Sequence, residues 1–224
     1  MNWLVWRGAV AIILVAVTAS LSARDQAVRF ASFNVSLHFG QRGELATKLD
    51  GGQWQPARKL AAIIQKTAPD VLLLNEFDGD DDGRGLEVFV QQYLAVAQLD
   101  QAPIQYPFHF VDTVNTGVPT AVDLNGDDKL SIPQDTFGFG MYPGQFGMAV
   151  LSRLPIDVKR VRTFRKFLWR DMPDAWWPID PENGRDYYSN AAKAVFRLSS
   201  KSHWDVPVLT GDGRTVHFLV SHPV

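Results

Sequence analysis

Three apolar segments of the sequence each end in a polar side chain that is suited to hydrolytic chemistry. Asn34 closes the run FASFN, Glu76 closes VLLLNE, and His222 follows VHFLVS. Ligand sites in layered α/β folds collect just beyond the carboxyl ends of strands, because the sheet is rigid there and the loops can vary. An amide, a carboxylate and an imidazole together suit hydrolysis assisted by a hard cation. Each residue alone has an ordinary explanation, as a turn residue, a solvated acid or a satisfied polar group.

The apolar pattern of the first half predicts the elements that must position Asn34 and Glu76. Val28–Ser36 is predicted to be a strand, and the continuous apolar run Val71–Leu74 is typical of a strand buried on both faces. A helix is predicted over Pro56–Thr67, and a second amphipathic helix over residues 86–94. The order strand, helix, strand, helix favours α/β layering.

The second half of the sequence is richer in strand candidates. Residues 100–145 hold many Gly, Pro, Asn and Asp and are predicted to form long loops around a short strand near Phe108–Val111. Turns such as Leu154-Pro155 and Gly211-Asp212-Gly213 indicate antiparallel pairing of the strands that follow. These strand candidates are Phe146–Ser152, Val158–Phe164, Ala191–Leu198 and Thr215–Ser221. The first half of the chain is predicted to alternate helices with strands, and the second half to be mostly strands. Together they predict stacked sheets that are covered by helices.

The composition and the first residues are typical of an exported globular protein. The 224 residues are 46% hydrophobic with a net charge of -2, which allows one sizeable core and gives no reason to expect non-specific adhesion to nucleic acid or membranes. Residues 1–23 combine Arg7, the apolar run Ala9–Val17 and small residues, the pattern of a secretory signal peptide. The apolar run is shorter than the roughly 18–20 residues that span a bilayer, which disfavours an uncleaved anchor. We therefore expect cleavage within residues 19–23, a periplasmic or extracellular location and no stable membrane insertion.

The absence of cysteine limits the chemistry that is open to the chain. It excludes disulfides, thiolate zinc sites and cysteine nucleophiles, so a bound metal needs oxygen or imidazole ligands. Asp123, Asn125 and Asp127 resemble the start of a calcium loop, but Asp128 stands where that loop has glycine. A Ca²⁺ site at these three residues and an ordinary acidic loop both remain open.

Four segments resemble, in their order along the chain, the motifs of the endonuclease/exonuclease/phosphatase superfamily, which has the deoxyribonuclease I-like fold. The segments are RFASFNVS, PDVLLLNEFD, GMAVLSRLPI and FLVSHP, and together they span residues 28–223. The resemblance implies an α/β (α+β) domain over residues 24–224, a four-layer sandwich of two mixed β-sheets flanked by helices. It also implies an exported, divalent-metal-dependent phosphoester hydrolase of the nuclease or phosphatase type, acting on nucleic acid, a phospholipid headgroup or a small phosphate ester.

The same resemblance implies roles for the three polar residues at the strand ends. Glu76 matches the family's Mg²⁺ ligand, and Mn²⁺ is an alternative ion for that position. Asn34 matches the amide that helps to hold the metal and its phosphate surroundings. His222 matches the histidine that contacts the scissile phosphate and protonates the leaving oxygen, a task for which an imidazole suits near-neutral pH.

Some of the family's motifs have no counterpart before Val224. These motifs are an Asp-x-Asn pair, a later Asp and a terminal Asp-His pair. Asp123-Leu124-Asn125 matches the residue types of the first motif, but it lies before the Gly147–Ile156 segment, which is the wrong order for the family. Phosphoryl transfer needs several groups to act at once. We therefore expect the chain to be a C-terminally incomplete, N-terminal fragment of the domain, inactive by itself.

A second interpretation is a non-catalytic exported binding protein on the same scaffold. Tryptophan-rich loops would then engage a glycan or a lipid, and a basic stretch over residues 153–170 lies in the same half of the chain. The four tryptophans concerned are Trp169, Trp176, Trp177 and Trp204. They are either a binding wall or large core residues of a strand-rich layer. Substrate identity and oligomeric state do not follow from the sequence.

Overall fold

The helices and strands of the first half follow the predicted alternation. The computed structural model describes residues 27–80 and 82–223, so the predicted signal peptide lies outside the described residues. The strands are β1 (Phe30–Leu37), β2 (Val71–Phe77), β3 (Phe108–Phe110), β4 (Met148–Ser152), β5 (Arg162–Thr163), β6 (His203–Leu209) and β7 (Thr215–Ser221). The helices are α1 (Glu44–Leu49), α2 (Gln55–Thr67), α3 (Arg84–Val88), which continues as a π-helix over Phe89–Leu94, and α4 (Asn190–Val195), with 3₁₀ turns at Val158–Arg160 and Trp169–Asp171.

Two β-sheets pack face to face, which confirms the predicted sandwich class. The first sheet has the order β1-β2-β4-β3, with β1 parallel to β2 and the other pairs antiparallel, and the second has the antiparallel order β5-β6-β7. Alternate residues of β2 and β4 meet alternate residues of β6 and β7, as the two-residue period of a strand requires. The buried side chains of this inter-sheet core include Val71, Leu73, Met148, Val150, Trp204, Val206, Val208 and Val220.

Helices cover the other face of the first sheet. Leu72 and Leu74 of β2 point into this second core, where they pack against the apolar face of α2 and the π-helix. The hydroxyl of Tyr93 donates a hydrogen bond to the carbonyl of Leu49 at 2.9 Å, which ties the π-helix to α1. None of the helices in the described part of the chain is long and apolar enough to cross a membrane.

Two predicted strands are wrong. Ala191–Leu198 begins instead with helix α4, because Ser189 caps it by accepting a hydrogen bond from the Ala192 amide at 3.1 Å and the alanines that follow favour a helix. Val158–Phe164 alternates apolar and basic residues like a strand, yet it forms a 3₁₀ turn and only the two-residue strand β5. The Arg160 amide donates to the Asp157 carbonyl at 3.0 Å and closes that turn.

One of the two predicted turns joins different elements from those expected. After Leu154-Pro155 the chain passes to the second sheet, where Ile156 pairs with Val208, so this turn is not a hairpin. The turn at residues 211–213 does join an antiparallel pair, but its first strand is β6, which the sequence did not predict. Pro207 within β6 argues against a strand at the sequence level.

Asp205 carries a buried carboxylate on the outer face of the second sheet, and it provides a test of the packing there. Arg162 donates two hydrogen bonds to it, at 3.0 and 2.5 Å, and His217 Nδ1 lies 2.7 Å away. Burial opposes ionisation, but these partners outweigh it and hold the pKa of Asp205 below its usual value. We expect Asp205→Asn to lower the free energy of unfolding by about 2 kcal/mol near neutral pH.

The pH dependence of that loss has a definite sign. Because the folded-state pKa of Asp205 is depressed, its contribution is full above the unfolded-state pKa and is lost as the pH falls through the folded one. Urea unfolding near neutral pH and at about pH 3 should therefore show the difference from wild type shrinking in acid. Asp50→Asn, which removes an exposed partner of Arg84, is the matched control and should change little. A difference that does not depend on pH would contradict the assignment.

Candidate functional site

A β-bulge at the carboxyl ends of β1 and β2 brings Glu76 to the rim of the sandwich. Asn34 pairs with Asn75, but the next pair in register is Leu37 with Phe77, so two residues of β1 lie opposite Glu76 alone. Glu76 takes a left-handed backbone conformation with φ of 56°. Bulges of this kind redirect a side chain and are frequent beside active sites. The bulge thus turns the Glu76 carboxylate out of the regular alternation of β2.

Two imidazoles face the Glu76 carboxylate. Its Oε2 lies 3.6 Å from His38 Nε2, and its Oε1 lies 4.0 Å from His222 Nε2. The His38 ring packs against the ring of Phe146 with centroids 4.5 Å apart. The carboxylate is 21% exposed, so it remains open to solvent between the two histidines. The structure therefore brings together two of the predicted site residues, Glu76 and His222.

A buried lysine completes the charged group. Lys201 is 3% exposed, and its ammonium lies 6.0 Å from the centroid of the Phe146 ring. Burial lowers the pKa of Lys201, and the charge of Glu76 acts in the opposite direction. Burial also lowers the pKa of His222, and Lys201 adds to that effect while Glu76 opposes it. Lys201, Glu76 and His222 are thus electrostatically coupled at one end of the sandwich.

Asn34 lies at the same end of the first sheet but is otherwise engaged. Its side chain is exposed, and its Oδ1 accepts a hydrogen bond from the Ser36 amide at 3.0 Å. Its neighbour Asn75 is buried and donates to Ser32 Oγ at 3.2 Å. The Oδ1 atom of Asn75 is buried with no hydrogen-bond partner among the described residues. A second lone pair of the Asn34 oxygen remains free for a ligand.

Asp78 fastens the loops that carry His38 and Phe146. Its carboxylate is 5% exposed and accepts hydrogen bonds from the Phe39 amide at 2.7 Å, the Tyr142 hydroxyl at 2.7 Å and the Phe146 amide at 2.9 Å. Burial raises the pKa of Asp78, and these donors oppose the rise. Asp78, the first residue of an acidic run, thus joins the loop after β1 to the loop before β4.

A glycine-rich loop holds the segment that carries Lys201. A Cβ atom on Gly138 would lie 1.8 Å from the carbonyl oxygen of Ser200, so the two backbones are in direct contact. The Asn115 amide donates to the carbonyl of Lys201 at 2.9 Å, and the Asn115 side chain donates to the carbonyl of Ser199 at 2.7 Å. The backbone of residues 199–201 is therefore held by contacts with Gly138 and Asn115.

The donor set around Glu76 fits a hard ion that takes few protein ligands. Within residues 27–80 and 82–223, no group of three or more His, Asp and Glu side chains is arranged to hold a metal. Mg²⁺ does not need such a cage, because it usually keeps several waters and is held by one or two carboxylates plus substrate phosphate. The partly exposed carboxylate of Glu76, with the amide of Asn34 at the same sheet end, meets that requirement.

The side-chain oxygens of the acidic loop at Asp123 accept hydrogen bonds from within the same loop. Oδ1 of Asp123 accepts from the Gly126 amide at 2.7 Å, and its Oδ2 accepts from the Asp128 amide at 2.8 Å. Asn125 donates to Asp127 Oδ2 at 3.2 Å. These contacts are those of a capped turn, so the ordinary acidic loop accounts for the three residues.

Sequence reasoning did not identify His38 or Lys201 as site residues. His38 lies just beyond β1, and its polar position after a strand was the available signal. Lys201 lies in the polar segment SSKS directly before β6, where there is no apolar pattern. Its burial depends on long-range contacts that local patterns do not encode.

The four tryptophans divide between the core and the surface. Trp204 is 1% exposed in the inter-sheet core. The rings of Trp169 and Trp177 stack with centroids 4.3 Å apart, and both pack near Phe196. The neighbouring Trp176 is 83% exposed. The binding-wall interpretation is therefore restricted to the surface cluster, and Trp204 is a core residue.

Comparison with known proteins shows similarity to one family and, among solved structures, to the two that follow. The model of the Endonuclease/Exonuclease/phosphatase family matches residues 31–202, which include Asn34, Glu76 and Lys201. The structure titled endonuclease/exonuclease/phosphatase from Beutenbergia cavernae DSM 12333 is 17% identical, with a TM-score of 0.39 over 87% of this chain and 37% of that one. A second, an endonuclease/exonuclease/phosphatase family protein from Leptotrichia buccalis C-1013-b, is 13% identical, with a TM-score of 0.40 over 88% of this chain and 54% of that one. The chain thus spans only part of the length of either structure, and no curated protein matches it.

Proposed function

The chain belongs to the endonuclease/exonuclease/phosphatase family, and from that premise we propose that its site is the metal- and phosphate-binding part of a divalent-metal-dependent phosphoester hydrolase. Enzymes of this family hydrolyse phosphoesters and typically use divalent metals. The observation that carries the proposal is the convergence of three charged or titratable groups at one end of the sandwich. Glu76 comes from the bulge of β2, His222 from the end of β7, and Lys201 from the segment before β6.

Each residue has a separate task in this proposal. Glu76 holds Mg²⁺ or Mn²⁺ through a carboxylate oxygen, and the amide oxygen of Asn34 assists at the same sheet end. When bound, such an ion neutralises charge that develops on the phosphoryl group. His222 directs Nε2 toward the same place and donates a hydrogen bond to the phosphate or a proton to the leaving oxygen. His38, held against Phe146, supports the carboxylate from the other side.

The substrate of the proposed enzyme is a nucleic acid, a phospholipid headgroup or a small phosphate ester. The proposed location is periplasmic or extracellular, after removal of a signal peptide. The non-catalytic alternative, glycan or lipid binding through tryptophan-rich loops, is favoured by one observation, the high exposure of Trp176 beside an aromatic cluster. Metal-dependent turnover separates the two functions.

The proposal is tested first by metal binding and then by turnover. We expect a Mn²⁺ titration of the 224-residue chain, followed by electron paramagnetic resonance, to show one site that Mg²⁺ competes for. Hydrolysis of p-nitrophenyl phosphate and its bis-ester is then measured with Mg²⁺ or Mn²⁺ and with a chelator. A folded chain that binds no Mn²⁺ would remove the metal site from the proposal.

Turnover in the proposed enzyme depends on Asp-x-Asn and Asp-His pairs that follow His222 in the family's order. Reading the coding DNA after the codon for Val224 tests whether the gene encodes them. A longer product of the gene should then hydrolyse phosphoesters, whereas the 224-residue chain should bind metal without turnover. A stop codon directly after Val224 would leave the binding-protein function as the better candidate.

Replacing His222 separates its role from that of the metal ligand. We expect His222→Ala to leave Mn²⁺ affinity within about twofold and to lower turnover, in a product that has it, by roughly 10²-fold, because a proton or hydrogen-bond donor is lost. His109→Ala, in the exposed edge strand β3, is the control and should alter neither quantity. A large loss of Mn²⁺ affinity in His222→Ala would instead make His222 a metal ligand.

A further inference from the structure

Lys201 is a buried charge that the protein does not neutralise by contact. Lys201 is 3% exposed, and a lysine without a partner is rarely buried to this extent. Within the described part of the chain its ammonium donates no hydrogen bond and forms no ion pair with a carboxylate; the centroid of the Phe146 ring lies 6.0 Å away. Cation–π attraction at that distance is weak compared with the loss of hydration. A group of this kind needs an anion from elsewhere.

The surroundings of Lys201 hold further polar atoms without partners. The hydroxyls of its chain neighbours Ser200 and Ser202 are buried and make no hydrogen bond with a described residue. The same is true of His222 Nδ1 and of the hydroxyl of Thr116. Buried polar groups are normally paired, so unpaired ones next to Lys201 favour a polar ligand at this place. The backbone carbonyls of Ser199 and Lys201 in this segment already accept hydrogen bonds from Asn115.

Glu76, the proposed metal ligand, belongs to the same site as Lys201. Its charge interacts with that of Lys201, yet its carboxylate faces His38 and His222 at 3.6 and 4.0 Å. A phosphate group carries several anionic oxygens, and lysine binds such groups as a point charge. A phosphoryl group bound by the Lys201 ammonium through one oxygen would have further oxygens available for a metal that Glu76 would hold.

We propose that Lys201 is the phosphate-binding residue of this site, receiving a non-bridging oxygen of a phosphate monoester or diester between itself and the metal position at Glu76. This inference rests on the proposed function, because it names the anion that the site takes. It also distinguishes Lys201 from a structural lysine: removing the charge should weaken phosphate binding without weakening the fold.

The test uses inorganic phosphate as the probe and the 224-residue chain as the protein. Phosphate binding is measured by calorimetry without metal and with Mn²⁺, for the wild type and for Lys201→Met. We expect the wild type to bind phosphate without metal and the variant to bind at least about tenfold more weakly. The melting temperature of Lys201→Met should stay equal or rise, because methionine fills a similar volume and an uncompensated buried charge is gone. Lys59→Met, on the exposed face of α2, is the control and should change neither property.

Two results would overturn the proposal. One is equal phosphate affinity in the wild type and Lys201→Met, or no phosphate binding by either. The other is a variant that melts several degrees lower, which would assign Lys201 a structural role. Failure of the proposed function is a different result, since it appears as absent Mn²⁺ binding, or as Mn²⁺ binding that Glu76→Gln leaves unchanged. Phosphate binding without metal is unaffected by that failure.

Discussion

Glu76→Gln is expected to lower the Mn²⁺ affinity of the chain by about a hundredfold or more, because it removes the carboxylate that is proposed to bind the metal. In a longer product of the gene that turns over a phosphoester, the loss should reach roughly a thousandfold, since metal stabilisation of the phosphoryl group is worth several kcal/mol. Glutamine keeps the size and the hydrogen-bonding oxygen of the side chain, so the fold should be unchanged. Paramagnetic resonance titration and a chelator-controlled turnover assay measure the two effects.

The backbone at Glu76 provides an internal control for this prediction. A left-handed conformation costs a non-glycine residue about 1–2 kcal/mol, and φ at Glu76 is 56°. We therefore expect Glu76→Gly to lose the metal as Glu76→Gln does, while it raises the free energy of unfolding by about 1 kcal/mol. Near-native Mn²⁺ affinity and turnover in Glu76→Gln would remove Glu76 from the mechanism. A less stable Glu76→Gly would show that the left-handed conformation is not strained.

The first half of the fold could be predicted from the sequence because its local and long-range preferences agree. The run Val71–Leu74 is continuously apolar and forms a strand buried on both faces. Pro56 stands in the first turn of α2, as its fixed φ allows. In the second half the two preferences conflict. The segment Ala191–Leu198 is alanine-rich and has only a weak alternation of apolar and polar residues. The N-terminal cap at Ser189 therefore favours a helix there.

The candidate site could be predicted only where it follows from strand ends. Glu76 and His222 were found because each follows an apolar run, and the structure places their side chains 4.0 Å apart. Two other features depend on tertiary structure. The direction of the Glu76 side chain follows from a bulge in the pairing of β1 with β2, and the burial of Lys201 follows from a distant glycine-rich loop. Neither has a local signal, because both depend on contacts between residues far apart in the sequence.

Gly138→Ala is expected to be the most destabilising single substitution proposed for this chain. The added Cβ would lie 1.8 Å from the Ser200 carbonyl oxygen and 2.7 Å from its carbon, a separation that no side-chain rotation relieves because both are backbone atoms. The Gly138 carbonyl also accepts hydrogen bonds from the Gly117 amide at 2.8 Å and from Thr136 Oγ1 at 2.8 Å, which resist a shift of the loop. We expect a loss of about 3 kcal/mol or more in the free energy of unfolding, measured by urea denaturation.

The same substitution links the loop to the site. The backbone that must shift to make room for the new Cβ is that of Ser200, next to Lys201, so a Gly138→Ala chain that still folds should bind phosphate more weakly than wild type. Gly211→Ala is the matched control, because a Cβ there meets no atom within 4 Å and its φ is not left-handed. The control should keep both its stability and its phosphate affinity. Equal stability of Gly138→Ala and Gly211→Ala would mean that the backbone contact at Ser200 does not exist, and the position assigned to Lys201 would fall with it.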